Sequence, residues 1–148
     1  MTAKSFDFQS IREQKKDISQ IRKTFAKAIQ SQKSANKLLA SDSEGSFTLA
    51  YEAMLKASLA LMFSRGFRPR VKLGHHKTLI NFSSYVLGED FSKIMATYDR
   101  MRDKRNKIIY DTNVVSGTEA KHAVEFSIKY LKAVANKIAE ENPQLRLF

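Results

Sequence analysis

Residues 46–65 (SFTLAYEAMLKASLALMFSR) restrict what this chain can fold into more than any other stretch. On a wheel of about 100° per residue, Phe47, Ala50, Tyr51, Met54, Leu55, Leu59, Leu61, Met62 and Phe63 surround a helix almost completely. A helix that is apolar on most sides has to be covered on most sides, which makes it the central element of its domain. Gly66 follows as a natural C-cap. The rest of the chain must provide the cover.

It does so with four more helical patterns. Residues 11–39 place Ile18, Ile21, Phe25, Ala28, Ile29, Ala35 and Leu39 on one face, with Arg22, Lys23, Lys27, Lys33 and Lys37 on the other. The break SDSEGS at 41–46 is rich in helix-starting residues. Residues 75–87 form a short helix with Leu79, Ile80, Phe82, Val86 and Leu87, ended by Gly88. Residues 89–110 carry Phe91, Ile94, Met95, Tyr98, Met101, Ile108 and Ile109. The capping box Ser116-x-x-Glu119 opens a last helix with Ala120, Val124, Ser127, Ile128, Leu131, Val134 and Ile138 on one face, and Pro143 stops it. No segment reads as a convincing strand, and 5 Gly and 2 Pro are too few for a turn-rich β-sandwich. Short connections between amphipathic helices predict an all-α, antiparallel four- or five-helix up-and-down bundle. One domain is expected over 1–142, with a tail at 143–148.

Lys plus Arg is 26 and Asp plus Glu is 15, a formal charge of +11. Such an excess points to a polyanion, to an acidic protein partner, or to a basic surface kept for solubility. The absence of cysteine excludes disulfides, thiolate metal sites and a cysteine nucleophile. No metal or cofactor is expected. His75 and His76 diverge by about 100° on a helix and suit a capping or surface pair better than joint chelation. His122 is expected at a core edge. No run approaches a membrane span and residues 1–10 lack a secretory apolar run, so a cytoplasmic protein with no membrane partner is expected.

The fourth helix holds an anomaly. Ile94, Tyr98, Met101, Arg105, Ile108 and Ile109 share one stripe, so Arg105 is centred on an apolar face. A guanidinium cannot be neutralised and is costly to bury unpaired. It either pairs with a buried carboxylate, snorkels outward, or serves a site. Arg102 and Asn106 flank the stripe, and Tyr110 sits one turn beyond Asn106.

The stretch Arg102–Asp111, RDKRNKIIYD, near the end of the penultimate helix of a small all-α chain, resembles the signature region of the HEPN superfamily. The central helix ending at Gly66, the third-helix start GHHKTLINF and the final helix fit the same layout, from about Ile18 to Ala139. The resemblance implies a helical bundle that pairs as a homodimer, with the motif faces meeting at the two-fold interface. It implies kinship with metal-independent ribonucleases and the toxin halves of toxin–antitoxin pairs. Their motif is an Arg, often followed by Asn or another polar residue, then a His four to six residues after the Arg. Arg105 and Asn106 match its start, but Tyr110 stands at the four-residue gap and Asp111 and Thr112 at wider ones. Counted from Arg102, the positions hold Lys107, Ile108 and Ile109. An unperturbed His titrates near 6.5 and Tyr near 10, so Tyr110 is a poor proton shuttle.

The expected function is therefore nucleic-acid binding by a HEPN-like protein with a degenerate ribonuclease motif. The first alternative is an active metal-independent ribonuclease toxin using Arg105, Asn106 and Tyr110 or a displaced histidine. The second is a small basic module for an acidic protein. Two dense clusters, Arg65/Arg68/Arg70/Lys72 and Arg100/Arg102/Lys104/Arg105/Lys107, are interleaved with Phe67 and Tyr110. That pattern suits RNA or single-stranded DNA. The tail Gln144-Leu145-Arg146-Leu147-Phe148 resembles the peptide by which bacterial replication and repair proteins hold the DNA sliding clamp. The resemblance implies that Gln144 bonds a groove rim while Leu145, Leu147 and Phe148 make the apolar contacts. The other reading packs Leu145, Leu147 and Phe148 onto the bundle or a dimer seam.

Overall fold

The computed structural model describes residues 5–70, 75–110, 112 and 114–147. In chain order they form β1 (Ile11–Glu13), α1 (Ile18–Leu38), α2 (Ser43–Ser64), β2 (Phe67–Pro69), α3 (His75–Leu87), α4 (Ser92–Tyr110) and α5 (Gly117–Glu141). The fold is an all-α bundle built on α2, which packs against all four other helices. Arg22 near the start of α1 reaches the Gln144 carbonyl beyond α5 at 3.2 Å, and Gly117 at the start of α5 lies by Ser43 just beyond α1. α1 and α5 therefore run antiparallel.

Small side chains explain how closely the helices pack. Ala50, Ala53, Ala57 and Ala60 recur every third or fourth residue of α2, all fully buried, and α1 buries Ala28, Ser31 and Ala35. Backbones approach where side chains are short, and the Ser46 hydroxyl donates across the α1–α2 interface to the Ala35 carbonyl at 2.7 Å.

The other side of α2 holds a buried polar knot. Ser58 Oγ lies 2.9 Å from the Met54 carbonyl, 3.0 Å from the Tyr98 hydroxyl of α4 and 2.6 Å from the Tyr130 hydroxyl of α5. A serine hydroxyl has one donor and two lone pairs. Donating to Met54 and accepting from both tyrosines uses all three. Burial pushes the Tyr98 phenol well up and Tyr130 up to about 12, so both remain protonated donors at ordinary pH.

Four expectations are corrected. Residues 11–17 do not belong to the first helix, and a small sheet exists: Ile11–Glu13 pairs antiparallel with Phe67–Pro69. The helix begins at Ile18 because Asp17 caps it, its carboxylate accepting from the Gln20 N–H at 3.2 Å. Ile11 is buried at the edge of the core, and an extended backbone there pairs with the segment leaving α2. Gly66 makes that exit, with φ +82°, where a side chain would strain the turn. Its carbonyl accepts from Gln14 N–H at 2.8 Å. Helix α2 starts at Ser43, three residues earlier than expected, because Asp42 caps it through Gly45 N–H. The segment Glu89–Phe91 is a single 3-10 turn before α4. The capping box at Ser116 and Glu119 forms in full. His122 is exposed on α5, not at a core edge.

The tail folds back. Leu145 N–H donates to the Asn142 carbonyl at 2.8 Å, and the Leu145 side chain is 0% exposed. Leu147 is partly buried against the core, while Gln144 and Arg146 face solvent. Phe148 lies outside the described residues.

Ser58→Ala removes the shared acceptor of two buried phenols and should cost about 2–4 kcal/mol in urea unfolding, against about 1 kcal/mol for Tyr130→Phe. Leu145→Ala should cost about 2–3 kcal/mol, the low end for a buried leucine because a tail relaxes easily, while Arg146→Ala changes little. Equal stability of parent and Leu145→Ala would mean the tail is not held.

Candidate nucleic-acid interface

The fourth helix is oriented by Tyr98. With that ring turned into the Ser58 knot, Arg102 and Arg105, four and seven residues on, fall on nearly the same face. Their charges act on Tyr51 of α2 and on His76 in the first turn of α3. Asp99, one turn before Arg102, accepts from Lys77 Nζ at 2.8 Å and from Arg102 Nε at 3.1 Å. Those bonds, Lys77's first, hold its carboxyl below the usual range. Lys77 and Arg102 thus share one carboxylate, and Arg105 has no ion pair with it.

Arg105 is the exceptional member. Its Nε is buried and has no hydrogen-bond partner. A buried donor without an acceptor is costly, and native structures leave few of them. The Tyr51 hydroxyl lies 3.4 Å from His76 Nδ1, and the rings are 5.8 Å apart. Burial drives the His76 pKa down to about 4, assisted by His75 and by the positive charges of Arg105 and Arg102. Burial likewise raises the Tyr51 phenol far above its ordinary value, although both arginines oppose the shift. At neutral pH the two guanidiniums therefore lie near a neutral imidazole and a neutral phenol that is itself fully buried. That is a donor-rich set with surplus positive charge, suited to a phosphate diester. Among the described residues no three His, Asp or Glu side chains gather to hold a metal ion.

The other expected residues are dispersed. Asn106 is half-buried beside Arg105. Tyr110, the last residue of α4, is 83% exposed, and no described hydrogen bond or ring contact joins it to Arg105. Lys107 pairs with Asp103 at 3.2 Å, and Lys104 with Glu119 at 3.4 Å. Arg65 pairs with Glu141 at the far end of α2. Arg68 and Arg70 lie in and beside β2, also at that far end, while Lys72 and Asp111 lie outside the described residues. The two basic clusters do not converge: from Tyr51 to Arg65 is about 21 Å along α2. Gln144 is exposed, but Leu145 is enclosed. Tyr51, Lys77 and Asp99 are members that sequence reasoning missed. Tyr51 counts as apolar in any periodicity, and nothing in the spacing says that α3 starts beside the middle of α4.

Compared with known protein families, curated proteins and solved structures, the chain matches none.

The depressed His76 pKa carries a stability signature. The unfolded chain binds a proton near pH 6.5 that the folded chain refuses until about pH 4. Its contribution is therefore full above 6.5 and is lost as pH falls toward 4. The melting temperature of the parent should drop through this window, and His76→Gln should flatten the drop. An unchanged slope in the variant would place His76 in solvent.

Proposed function

We propose that this chain is a HEPN-like nucleic-acid-binding protein with a degenerate ribonuclease motif, holding a backbone phosphate in the cleft between α2, α3 and α4. The observation that carries this reading is Arg105: a buried guanidinium donor without an acceptor, next to a second arginine. An entering phosphate oxygen supplies the missing acceptor and offsets the surplus charge. Tyr110 points away from the histidine role by its chemistry and by its exposure.

Arg105→Gln should lower affinity for oligonucleotides at least tenfold in anisotropy titrations, and Lys33→Gln only slightly, because a focused charge outweighs a screened surface one. Equal losses would mean diffuse binding.

One observation favours the active-ribonuclease reading: His76 comes from another helix to the same arginines, as a displaced histidine would. A neutral imidazole with a pKa near 4 is a weak base, which is why binding ranks first. EDTA-resistant RNA cleavage by the parent, lost in His76→Ala, would reverse that order and restore the toxin reading.

A second copy of this chain is the proposed partner at the end of α4, where Ile109, Tyr110 and Val114 leave an exposed apolar patch. The tail is proposed to engage the bacterial sliding clamp. With Leu145 enclosed, engagement requires the tail to leave the bundle, so affinity is reduced by the fraction released. The synthetic peptide Gln144–Phe148 should therefore bind the clamp more tightly than the whole chain does, as read by calorimetry.

A further inference from the structure

The ribbon of β1 and β2 carries an arrangement that folding alone does not favour. Its register sets Arg12 directly opposite Arg68. Opposed residues of an antiparallel pair project from the same face, and like charges placed so repel. Both side chains are exposed, and neither has an ion-pair partner among the described residues. Arg70, two residues beyond Arg68, extends the row. Its N–H donates to the Ser10 carbonyl at 3.0 Å and its Nε to the Gln9 carbonyl at 3.1 Å. The opposite face is anchored: Ile11 is buried, and the Phe67 ring meets Phe82 of α3 at 6.1 Å. The ribbon thus presents three guanidiniums to solvent, of which Arg70 is held by its bond to Gln9.

Next to Arg70 the surface becomes aromatic. Phe8, the neighbour of Gln9, is 48% exposed, and Tyr85 of α3 is 41% exposed. Their rings meet edge to face at 5.6 Å, and Phe6 and Phe67 brace Phe8 at 5.2 and 6.1 Å. From Tyr85 the exposed face of α3 steps back one turn to Asn81 and another to Lys77, which joins Asp99 and Arg102 at the cleft. That path is about 12 Å long.

We propose that Arg12, Arg68 and Arg70 with Phe8 and Tyr85 form a second contact for single-stranded nucleic acid, the strand running along α3 between this ribbon and the α4 cleft. Forked guanidiniums match phosphate geometry, and exposed rings stack on bases that only an unpaired strand presents. The occupied anion also relieves the Arg12–Arg68 repulsion. The inference rests on the nucleic-acid reading of the cleft, and the two fail separately.

The test uses the whole chain and labelled oligouridine of about 12 nucleotides, within the range of single-strand site sizes. Oligodeoxythymidine, a duplex hairpin, a uridine trinucleotide and polyglutamate serve as comparison probes. Three lost phosphate contacts on a single strand should reduce the salt slope by about 2. The variant Arg12→Gln/Arg68→Gln/Arg70→Gln should show that reduction, with affinity down tenfold or more and a melting temperature unchanged or raised. Phe8→Ala should weaken oligouridine about tenfold by loss of stacking. The trinucleotide, too short for the path, should bind parent and ribbon variant alike. Oligodeoxythymidine binding as well as oligouridine assigns the site to single strands generally, and weaker binding assigns it to RNA. If the ribbon variant keeps the parent's affinity and slope while Arg105→Gln loses them, the ribbon inference falls and the cleft reading stands. The reverse pattern sinks the cleft reading and keeps the ribbon. Equal affinity for the hairpin, or tighter binding of polyglutamate, overturns the single-strand assignment, and a parent that binds no probe overturns both.

Discussion

One serine hydroxyl fixes how three helices face each other. Ser58 of α2 reaches its bonding capacity by giving its proton to Met54 and taking those of Tyr98 and Tyr130. Rotating α4 or α5 about its axis would break one of these bonds in a region closed to water. The rotation of α4 is therefore set by a contact that lies outside the proposed phosphate site. Because Arg102 and Arg105 follow Tyr98 by four and seven residues, the same contact turns them toward Tyr51 and His76. The cleft is a by-product of how the core is tied.

Electrostatics and packing oppose each other in that cleft. Packing brings the arginines inward, and the charge they bring is only partly matched by Asp99, which already serves Lys77. The neighbouring titratable groups respond by staying neutral: His76 resists protonation, and Tyr51 resists losing its proton. The apolar interface around Ser58 supplies the stability that tolerates this surplus. A similar tolerance appears at the ribbon, where a buried Ile11 holds two like charges in register.

Helix positions were legible because burial in a bundle repeats every three to four residues, and the near-complete apolar surface of α2 marked it as central. Arg105 was legible as an anomaly for the same reason. The ribbon was not, because three residues of strand carry no period. Residues 11–17 continued a helix-compatible pattern until Asp17 capped the chain anew. The neighbours of Arg105 were not legible either, since Tyr51 and His76 come near it only through the packing of helices far apart in sequence. The tail left two readings open in sequence, and burial of Leu145 shows it packed on the bundle in this conformation.

The alanine-lined contact between α1 and α2 has a kinetic consequence. The two helices are consecutive and joined by a short turn, so their pairing closes a small loop and can form early. β1 and β2 lie on either side of that hairpin, so its closure brings them together. The ribbon pairs only three residues on each strand and is expected to open before the core melts. Its arginine face belongs to the least protected part of the fold, so amide exchange there should report local opening rather than global unfolding.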